Sequence, residues 1–301
     1  MNSNIDWLGI NNANLYGFHG RHHNGVAAVN YYNSKVTDRR ERYSFELTTE
    51  AIESGKTTKD RGYNKVENFF SDAQKATLLE SKEWINKLVN ENKHIKKRDQ
   101  NMAFINQPIL NIPNLYKIMF DEKIIDIVTA YFDCVPALTS VAVRKSFTSD
   151  AAPVNNQLFH RDYNSLVKLL KIVIYLNDVD INGGPFTYIE DSHKKIFNNW
   201  WHYHYIQDEV MKTIYGEDKI KHLTANFGDL LMADTRGFHK GLKPKTSERY
   251  AMHMCFLIHP ELTGPGHQQE TPPDKGFQIR KEDYESLPDN VKPVADYLVK
   301  I

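Results

Sequence analysis

Short apolar runs between residues 137 and 258 constrain the fold of this chain more than any other feature of its sequence. The runs are rich in β-branched and aromatic residues, and clusters of Gly, Asp, Asn or Pro separate most of them, which is typical of strands joined by turns. With no predicted helices between them, such strands favour an antiparallel sandwich or barrel. The runs read ALTSVAVRKSF, LVKLLKIVIYLND, GGPFTYI, IKHLTA, GDLLMAD and RYAMHMCFLI.

The chain before these runs begins with a polar segment. Residues 1–60 are rich in Asn and charged residues and show little periodicity, so we interpret them as an N-terminal extension of a main domain over 61–301. Within the extension, the pattern predicts a strand over 25–33 and exposed loops over 37–42 and 53–62.

Two helices are predicted between the extension and the strands. Ser71 is followed three positions later by Gln74, which is the pattern of a capping box at a helix start. Apolar residues then recur at helical spacing as far as about residue 92. A second helix is predicted from Asp121, with its apolar side formed by Ile124, Ile125, Ile127, Val128 and Tyr131.

The composition excludes several classes of protein. Lys and Arg together number 38, as do Asp and Glu, so the formal net charge is zero and we expect no nucleic-acid partner. No stretch approaches the ~20 apolar residues of a membrane span, and we expect no signal peptide because the chain does not begin with a basic segment and an apolar core. Cys134 and Cys255 are interpreted as buried thiols of a cytoplasmic protein.

A His-x-Asp pair in the stretch QLFHRDYNS is the first candidate site. His160 and Asp162 would project to the same face of a strand, because side chains two residues apart do so. A divalent metal needs at least one more ligand, and His239 follows an apolar run and a turn further along the chain. Two His and one carboxylate, with other positions open, form the ligand set of non-haem Fe(II) oxygenases.

Arg249 begins the last long apolar run, ten residues after His239. An Arg that points into a barrel is costly unless it meets an anion, and a guanidinium matches a carboxylate with two parallel hydrogen bonds. A dicarboxylate such as 2-oxoglutarate would need such a partner at its far end. A surface Arg paired with Glu248 is the alternative.

The motifs resemble, in order, those of the phytanoyl-CoA dioxygenase (PhyH-like) family of Fe(II)/2-oxoglutarate dioxygenases. The resemblance covers about residues 60–260 and rests on QLFHRDYNS, KIVIYLNDVDINGGPFTYIEDSH, GDLLMADTRGFHKG and SERYAMHMCF, preceded by GYNKVENFFSDAQ. It implies a mainly β fold with flanking α-helices, a double-stranded β-helix (a cupin-like jelly roll).

The resemblance also implies the roles of several residues. His160, Asp162 and His239 match the iron ligands, and Arg249 matches the residue that clamps the far carboxylate of 2-oxoglutarate; Tyr175 and Lys145 would complete that pocket. The implied cofactors are Fe(II), 2-oxoglutarate and O₂, and the implied reaction hydroxylates an unactivated C–H of a small molecule and releases succinate and CO₂. Desaturation is an alternative outcome, whereas halogenating relatives replace the carboxylate that Asp162 supplies.

The chain departs from the family pattern at two places. Gly241 stands where the family often has Ser or Thr, so one hydroxyl contact to 2-oxoglutarate is missing or comes from elsewhere. Glu190 and Asp191 stand where Pro-Gly usually precedes Ser-His, which leaves the geometry of that turn open.

Other readings stay open beside this one. A jelly-roll binding protein without turnover would keep the pocket, and a Zn(II) hydrolase would use the same ligands but leave Arg249 without a role. The segment that contains Trp200–Tyr205 is interpreted as a substrate pocket or lid, or as packing, and His193 as structural or substrate-facing. A metal at His19, His22 and His23 is disfavoured. The substrate and the oligomeric state stay open.

Overall fold

The computed structural model describes residues 22–91, 102–106, 108–162, 168–194, 205–258 and 277–301. Its helices are α1 (His22–Arg42), α2 (Thr49–Arg61), α3 (Asp72–Asn90), α4 (Leu115–Met119), α5 (Glu122–Phe132), α6 (Asp208–Tyr215) and α7 (Lys281–Glu285). Its strands are β1 (Tyr63–Val66), β2 (Met102–Asn106), β3 (Ala137–Ser146), β4 (Leu170–Tyr175), β5 (Phe186–Ile189), β6 (Ile220–Leu223), β7 (Leu230–Asp234), β8 (His239–Gly241), β9 (Arg249–Leu257), β10 (Gln278–Ile279) and β11 (Val299–Lys300).

Two antiparallel sheets face each other. The larger sheet has the strand order β1-β7-β4-β9-β3-β2, and the smaller has the order β6-β5-β8. One buried cluster joins them, with Val173 and Ala251 from the larger sheet and Phe186 and Leu223 from the smaller. A short parallel pair, β10 with β11, lies apart from both sheets. The predicted mainly β architecture with flanking helices is confirmed.

Alternation along the strands of the larger sheet separates a helix-covered face from an interior face. On β9, Met252 and Met254 belong to the large core cluster that includes residues of α5. The odd-numbered positions of β9 face the other way, and Arg249 and His253 among them line a pocket between the sheets. Each apolar side chain buried against the helices contributes about 1.5–3 kcal/mol, so this face holds the sheet in place and the other face is available for polar groups.

The helix predictions for the middle of the chain are confirmed. Ser71 caps α3: its Oγ accepts a hydrogen bond from the Gln74 backbone N at 3.4 Å, and the Gln74 Oε1 accepts one from the Ser71 N at 3.0 Å. Asp121 caps α5 in the same way, because its Oδ1 accepts hydrogen bonds from the N of Lys123 and of Ile124. Both ends follow the preference for side-chain oxygens at the N-cap.

The predictions for residues 25–62 are wrong. The expected strand over 25–33 and the loop over 37–42 lie within α1, and the expected loop over 53–62 is α2 up to its Gly62 cap. Position 55 lies within α2, and close packing of α2 on α5 explains why a glycine occupies it: a Cβ there would come within 2.7 Å of the Ala130 Cβ. This glycine therefore allows two helices to approach each other and does not mark a turn.

The described part of the predicted extension packs on the main body. Arg39 is buried and donates hydrogen bonds to the carbonyl oxygens of Val135, Pro136 and Pro293. Helix α2 runs across the predicted boundary at residue 60, and the division into an extension and a main domain stays a prediction. A further difference is α6, which lies in the connection between β5 and β6 where no helix was expected. Of the helices described, none is long and apolar enough to cross a membrane.

Candidate active site

Backbone pairing brings His160 and His239 together. The N of His160 donates to the carbonyl oxygen of His239 at 2.9 Å, and the N of His239 donates back to that of His160 at 2.9 Å. The two residues thus form an antiparallel bridge at the edge of the smaller sheet, and their ring centroids lie 4.4 Å apart. Residues far apart in sequence become neighbours through this pairing alone.

Hydrogen bonds set which nitrogen of each imidazole faces the site. The Nδ1 of His160 lies 2.9 Å from the Leu158 carbonyl oxygen, and the Nδ1 of His239 lies 2.9 Å from that of Gly237. A carbonyl oxygen only accepts, so both Nδ1 atoms carry the proton and both Nε2 atoms keep a lone pair. Burial lowers the pKa of His160 and lowers that of His239 to about 3, so both rings stay neutral.

Asp162 completes the cluster with one of its carboxylate oxygens. Its backbone N donates to the Thr235 carbonyl oxygen at 3.1 Å, which holds the residue against the end of β7. The Oδ2 atom lies 2.7 Å from the Lys171 Nζ, and the Oδ1 atom lies 3.9 Å from the His239 Nε2. One oxygen is therefore committed to Lys171, and the other faces the two imidazoles.

This donor set fits a divalent transition metal. One ligand atom from each of His160, Asp162 and His239 lies within 4.8 Å of the others. Neutral imidazole nitrogens and a carboxylate oxygen are ligands of such metals, and Nδ1–H groups held by carbonyl oxygens are the usual support for ligating His. The structure thus brings together the three residues that the sequence pattern singled out.

Arg249 lies on the same pocket, at the first residue of β9. Its Nη2 donates to the Ser146 Oγ at 3.1 Å, and its Nη1 donates to the Leu242 carbonyl oxygen at 3.2 Å. Burial lowers the pKa of Arg249. Within the described part of the chain no carboxylate pairs with Arg249, because Glu248 pairs with Lys145 instead, at 3.0 Å. The guanidinium is thus short of a counter-charge.

Tyr175 lines the pocket with a hydroxyl that is already engaged. The hydroxyl accepts a hydrogen bond from the Phe186 N at 2.7 Å and donates one to the Leu223 carbonyl oxygen at 3.1 Å, so it ties the two sheets together. Burial raises the pKa of Tyr175 to about 12, and the group stays a neutral phenol.

The structure does not bring Lys145 to the pocket. Its Nζ lies 3.1 Å from the Asn86 Oδ1 of α3 and 3.0 Å from Glu248, on the helix-covered side of the larger sheet. Arg144 and Ser146, its neighbours in β3, line the pocket instead. Alternate residues of a strand face opposite sides, so the expectation for Lys145 was displaced by one residue.

The absence of a side chain at Gly241 makes room for Arg249. A Cβ at position 241 would lie 2.8 Å from the Arg249 Nη2. Ser146 on β3 places a hydroxyl against the same guanidinium.

The sequence analysis did not single out several residues that line the pocket, among them Arg144, Ser146, Lys171 and His253. A local signal existed for Lys171 and His253, since each is a polar residue in a mostly apolar strand. Lys171 interrupts the apolar run of β4, and His253 lies an even number of positions after Arg249 on β9. Period-two alternation from Arg249 would have placed His253 on the pocket face.

The remaining candidates lie outside the pocket or outside the described residues. The Nε2 of His193 donates a hydrogen bond to the Lys59 carbonyl oxygen at 2.8 Å, because a carbonyl oxygen only accepts. His193 thus makes a structural contact to α2. Asp191 takes a positive φ of 66°, in the left-handed region that favours glycine. Residues 198–204 and the side chains of the His19–His23 cluster are not among those described; Tyr205 lies 5.9 Å from His160, ring to ring.

Comparison with solved structures shows what this fold resembles. The epimerase SnoN from nogalamycin biosynthesis matches with a TM-score of 0.55 at 14% identity, over 70% of this chain and 82% of that one. EctD from S. alaskensis matches with a TM-score of 0.53 at 14% identity, over 71% and 80%. AviO1 from Streptomyces viridochromogenes Tue57 matches with a TM-score of 0.51 at 15% identity, over 71% and 96%.

The fold is a double-stranded β-helix. The jelly roll expected from the sequence is therefore confirmed. No protein-family model matches the chain, and no curated protein matches it significantly, so membership of the PhyH-like family stays a prediction.

Proposed function

We propose that this protein is an Fe(II)- and 2-oxoglutarate-dependent oxygenase. The observation that carries the proposal is a cluster of three possible ligands, His160, Asp162 and His239, beside a pocket where the guanidinium of Arg249 has no carboxylate partner among the described residues. SnoN has been crystallised with Fe3+ and alpha ketoglutarate, and EctD with 2-oxoglutarate, which supports the same cofactors here. Two imidazoles and one carboxylate are the ligand set of non-haem Fe(II) oxygenases.

Each residue of the site would have a defined task. The Nε2 atoms of His160 and His239 and the Oδ1 of Asp162 would hold the iron, and Lys171 would keep the other oxygen of Asp162 turned away. Arg249 would bind the far carboxylate of 2-oxoglutarate, with Ser146 holding the guanidinium in position. Iron and 2-oxoglutarate together supply the oxidation of the substrate by O₂, with succinate and CO₂ as co-products.

We propose hydroxylation of an unactivated C–H of a small molecule as the outcome, within the PhyH-like family. Asp162 supports this choice over halogenation, since halogenating relatives lack that carboxylate. The structural neighbours include an epimerase, SnoN, and a carbocyclase, SnoK, so the fold alone does not fix the outcome. The buried free thiols of Cys134 and Cys255 support a reducing, cytoplasmic setting.

Two alternatives have less support. A Zn(II) hydrolase would use a general base beside the metal, and no carboxylate is found among the described residues that line the pocket; Asp162, a candidate metal ligand, is already paired with Lys171. A metal- or ligand-binding protein without turnover could use the same three ligands, but Arg249, with no carboxylate partner among the described residues, supports an anionic cosubstrate.

An anaerobic titration tests the proposal. Metal-free protein receives Fe(II) and then 2-oxoglutarate, while the weak visible charge-transfer band of the chelate is recorded. The band is expected in wild type, with loss in Asp162→Ala and a weakening of 2-oxoglutarate binding by tenfold or more in Arg249→Ala. Arg61→Ala, which removes a partly exposed Arg outside the pocket, serves as the control. Fe(II) binding without a band in wild type would refute the oxygenase and favour the binding protein.

A further inference from the structure

Arg144 is a cation that lines the pocket and has no role in the proposed mechanism. It lies on the interior face of β3, two residues before Ser146, and lines the pocket with Arg249. Its Nε is buried and has no hydrogen-bond partner. Its register partners on the neighbouring strands are Ala251 and Phe104, which offer no polar side chain.

His253 resembles Arg144 in that it lines the pocket and has a buried nitrogen without a hydrogen-bond partner. It lies on the interior face of β9, and its Nδ1 is buried without a hydrogen-bond partner. The residues in register with it are Ala142 on β3 and Val173 on β4. Burial and the nearby Arg144, Lys171 and Arg249 lower its pKa well below the usual value, so the ring is neutral and can donate one hydrogen bond.

The register places these two groups apart from the Arg249 end of the pocket. Ser146 pairs with Arg249, Arg144 with Ala251, and Ala142 with His253, so Arg144 lies between the rows of Arg249 and His253. At about 3.3 Å per residue, His253 is about 13 Å along the strand from Arg249. Both groups therefore lie towards the metal-ligand end of the pocket from Arg249, since Lys171, the partner of Asp162, is in register with Cys255. The 2-oxoglutarate affinity of Arg144→Met, measured below, distinguishes a contact with the substrate from a contact with 2-oxoglutarate.

The balance of charges in the pocket also favours a further anionic ligand, an argument that rests on the proposed function. The described pocket carries three cations, Arg144, Lys171 and Arg249. Lys171 pairs with Asp162, and Arg249 would take the far carboxylate of 2-oxoglutarate, whose near carboxylate belongs to the metal. The charge of Arg144 is then uncompensated among the described residues; the side chain is half-buried with its Nε enclosed, and a guanidinium partly removed from water is stabilised by a counter-charge.

We propose that Arg144 and His253 bind an oxyanion of the substrate, and that the substrate is therefore a small organic acid or phosphate ester. The guanidinium of Arg144 would form the bidentate contact that suits carboxylates and phosphates alike. His253 would donate one hydrogen bond to the same group. Such a contact fixes the anionic end of the substrate and so determines which C–H faces the iron.

Equilibrium binding of paired probes tests this assignment. Fe(II)-loaded protein under anaerobic conditions, with and without saturating 2-oxoglutarate, is titrated with benzoate against benzamide and with phenyl phosphate against phenol. Wild type is expected to bind at least one anion about tenfold more tightly than its neutral partner, equivalent to about 1.4 kcal/mol. The stronger of the two anions identifies the source of the oxyanion. No preference for either anion would overturn the proposal.

Matched variants assign the preference to a residue. Arg144→Met should abolish it, His253→Phe should reduce it, and Lys145→Met, which removes a like charge from the opposite face of the same strand, should preserve it. A preference that survives in Arg144→Met would refute the role of Arg144. Thermal melting of each variant confirms that the fold is retained.

A separate readout distinguishes this proposal from the proposed function. The charge-transfer band should report the same 2-oxoglutarate affinity in Arg144→Met as in wild type, within about twofold. A tenfold loss would instead make Arg144 part of the 2-oxoglutarate clamp and overturn the proposal. If wild type gives no band at all, the oxygenase fails, while the titrations without 2-oxoglutarate still decide whether Arg144 binds an oxyanion.

Discussion

Lys171 and Asp162 form a buried ion pair, with 2.7 Å between the Nζ and the Oδ2. Both side chains are almost fully enclosed, with relative exposures of 9% and 10%. The pair compensates the carboxylate charge before a metal binds and leaves the Oδ1 directed to the imidazoles. Asp162 thus depends on a residue of β4 that no sequence motif connects with it.

Removal of this ammonium should make the protein depend on metal for stability. In Lys171→Met, Asp162 loses the ammonium that compensates its charge, and breaking a buried ion pair costs about 3–5 kcal/mol in comparable cases. A bound metal would then be its main counter-charge, so Co(II) or Fe(II) should raise the melting temperature more in the variant than in wild type. Lys194→Met, which breaks an exposed pair with Asp191, is the control and should change little. Equal metal-induced shifts would argue against this role of Lys171.

A methyl group at position 241 should weaken 2-oxoglutarate binding. The Cβ of Gly241→Ala would lie 2.8 Å from the Arg249 Nη2, so the guanidinium must move away from Ser146 and the Leu242 carbonyl oxygen. We expect a loss of roughly 3–30-fold in 2-oxoglutarate affinity, equivalent to about 0.7–2 kcal/mol, with unchanged Fe(II) affinity. The charge-transfer titration measures both quantities. Unaltered 2-oxoglutarate affinity would show that Arg249 has room to spare.

The buried carboxylate of Asp234 should make the fold sensitive to acid. Its Oδ2 accepts hydrogen bonds from the Tyr131 hydroxyl at 2.5 Å and from the Arg236 Nη2 at 2.6 Å. Burial opposes ionisation, but Arg236 and Tyr131 outweigh it and lower the pKa of Asp234 from 3.8 to about 2. A lowered pKa stabilises the fold above pH 4, and that contribution of about 2 kcal/mol is lost as the pH falls towards 2.

Urea unfolding of Asp234→Asn measures that contribution. The variant leaves Arg236 buried without its carboxylate, and we expect it to lose about 3–5 kcal/mol at pH 7. Its stability should also fall less steeply between pH 4 and pH 2 than that of wild type. The exposed Asp289, which pairs with Lys292, offers Asp289→Asn as a control with little effect. Parallel pH profiles for wild type and Asp234→Asn would contradict the assignment.

The contact between α2 and α5 should not tolerate a larger residue at position 55. A Cβ there meets the Ala130 Cβ at 2.7 Å and the Tyr131 N at 2.9 Å. Although Ala favours a helix over Gly by about 1 kcal/mol, overpacking of about 1–3 kcal/mol should outweigh it. Gly55→Ala is therefore expected to be destabilised in chemical unfolding, whereas Lys56→Ala on the exposed side of α2 is not. A stabilised Gly55→Ala would show that the helices separate easily.

Local sequence was sufficient to single out the candidate metal ligands and to predict much of the fold. His160 and Asp162 are two residues apart and His239 follows an apolar strand, but the proximity of His239 to the other two depends on its backbone pairing with His160. The capping box at Ser71 is equally local, since its hydrogen bonds join residues three positions apart. Residues 25–33 show the limit of prediction from local sequence: an apolar pattern this short is compatible with a strand or a helix, and in the structure these residues belong to the helix α1.

Only the tertiary structure decided which side chains share the pocket. A one-residue change of register moves every side chain to the opposite face, and for that reason Arg144 and Ser146 lie in the pocket while Lys145 contacts α3. The pairing of Lys171 with Asp162, and the isolation of Arg144 and His253 among apolar neighbours, depend on which strands are adjacent. Contacts between distant parts of the chain determine which strands are neighbours, so the periodicity within one strand cannot predict it.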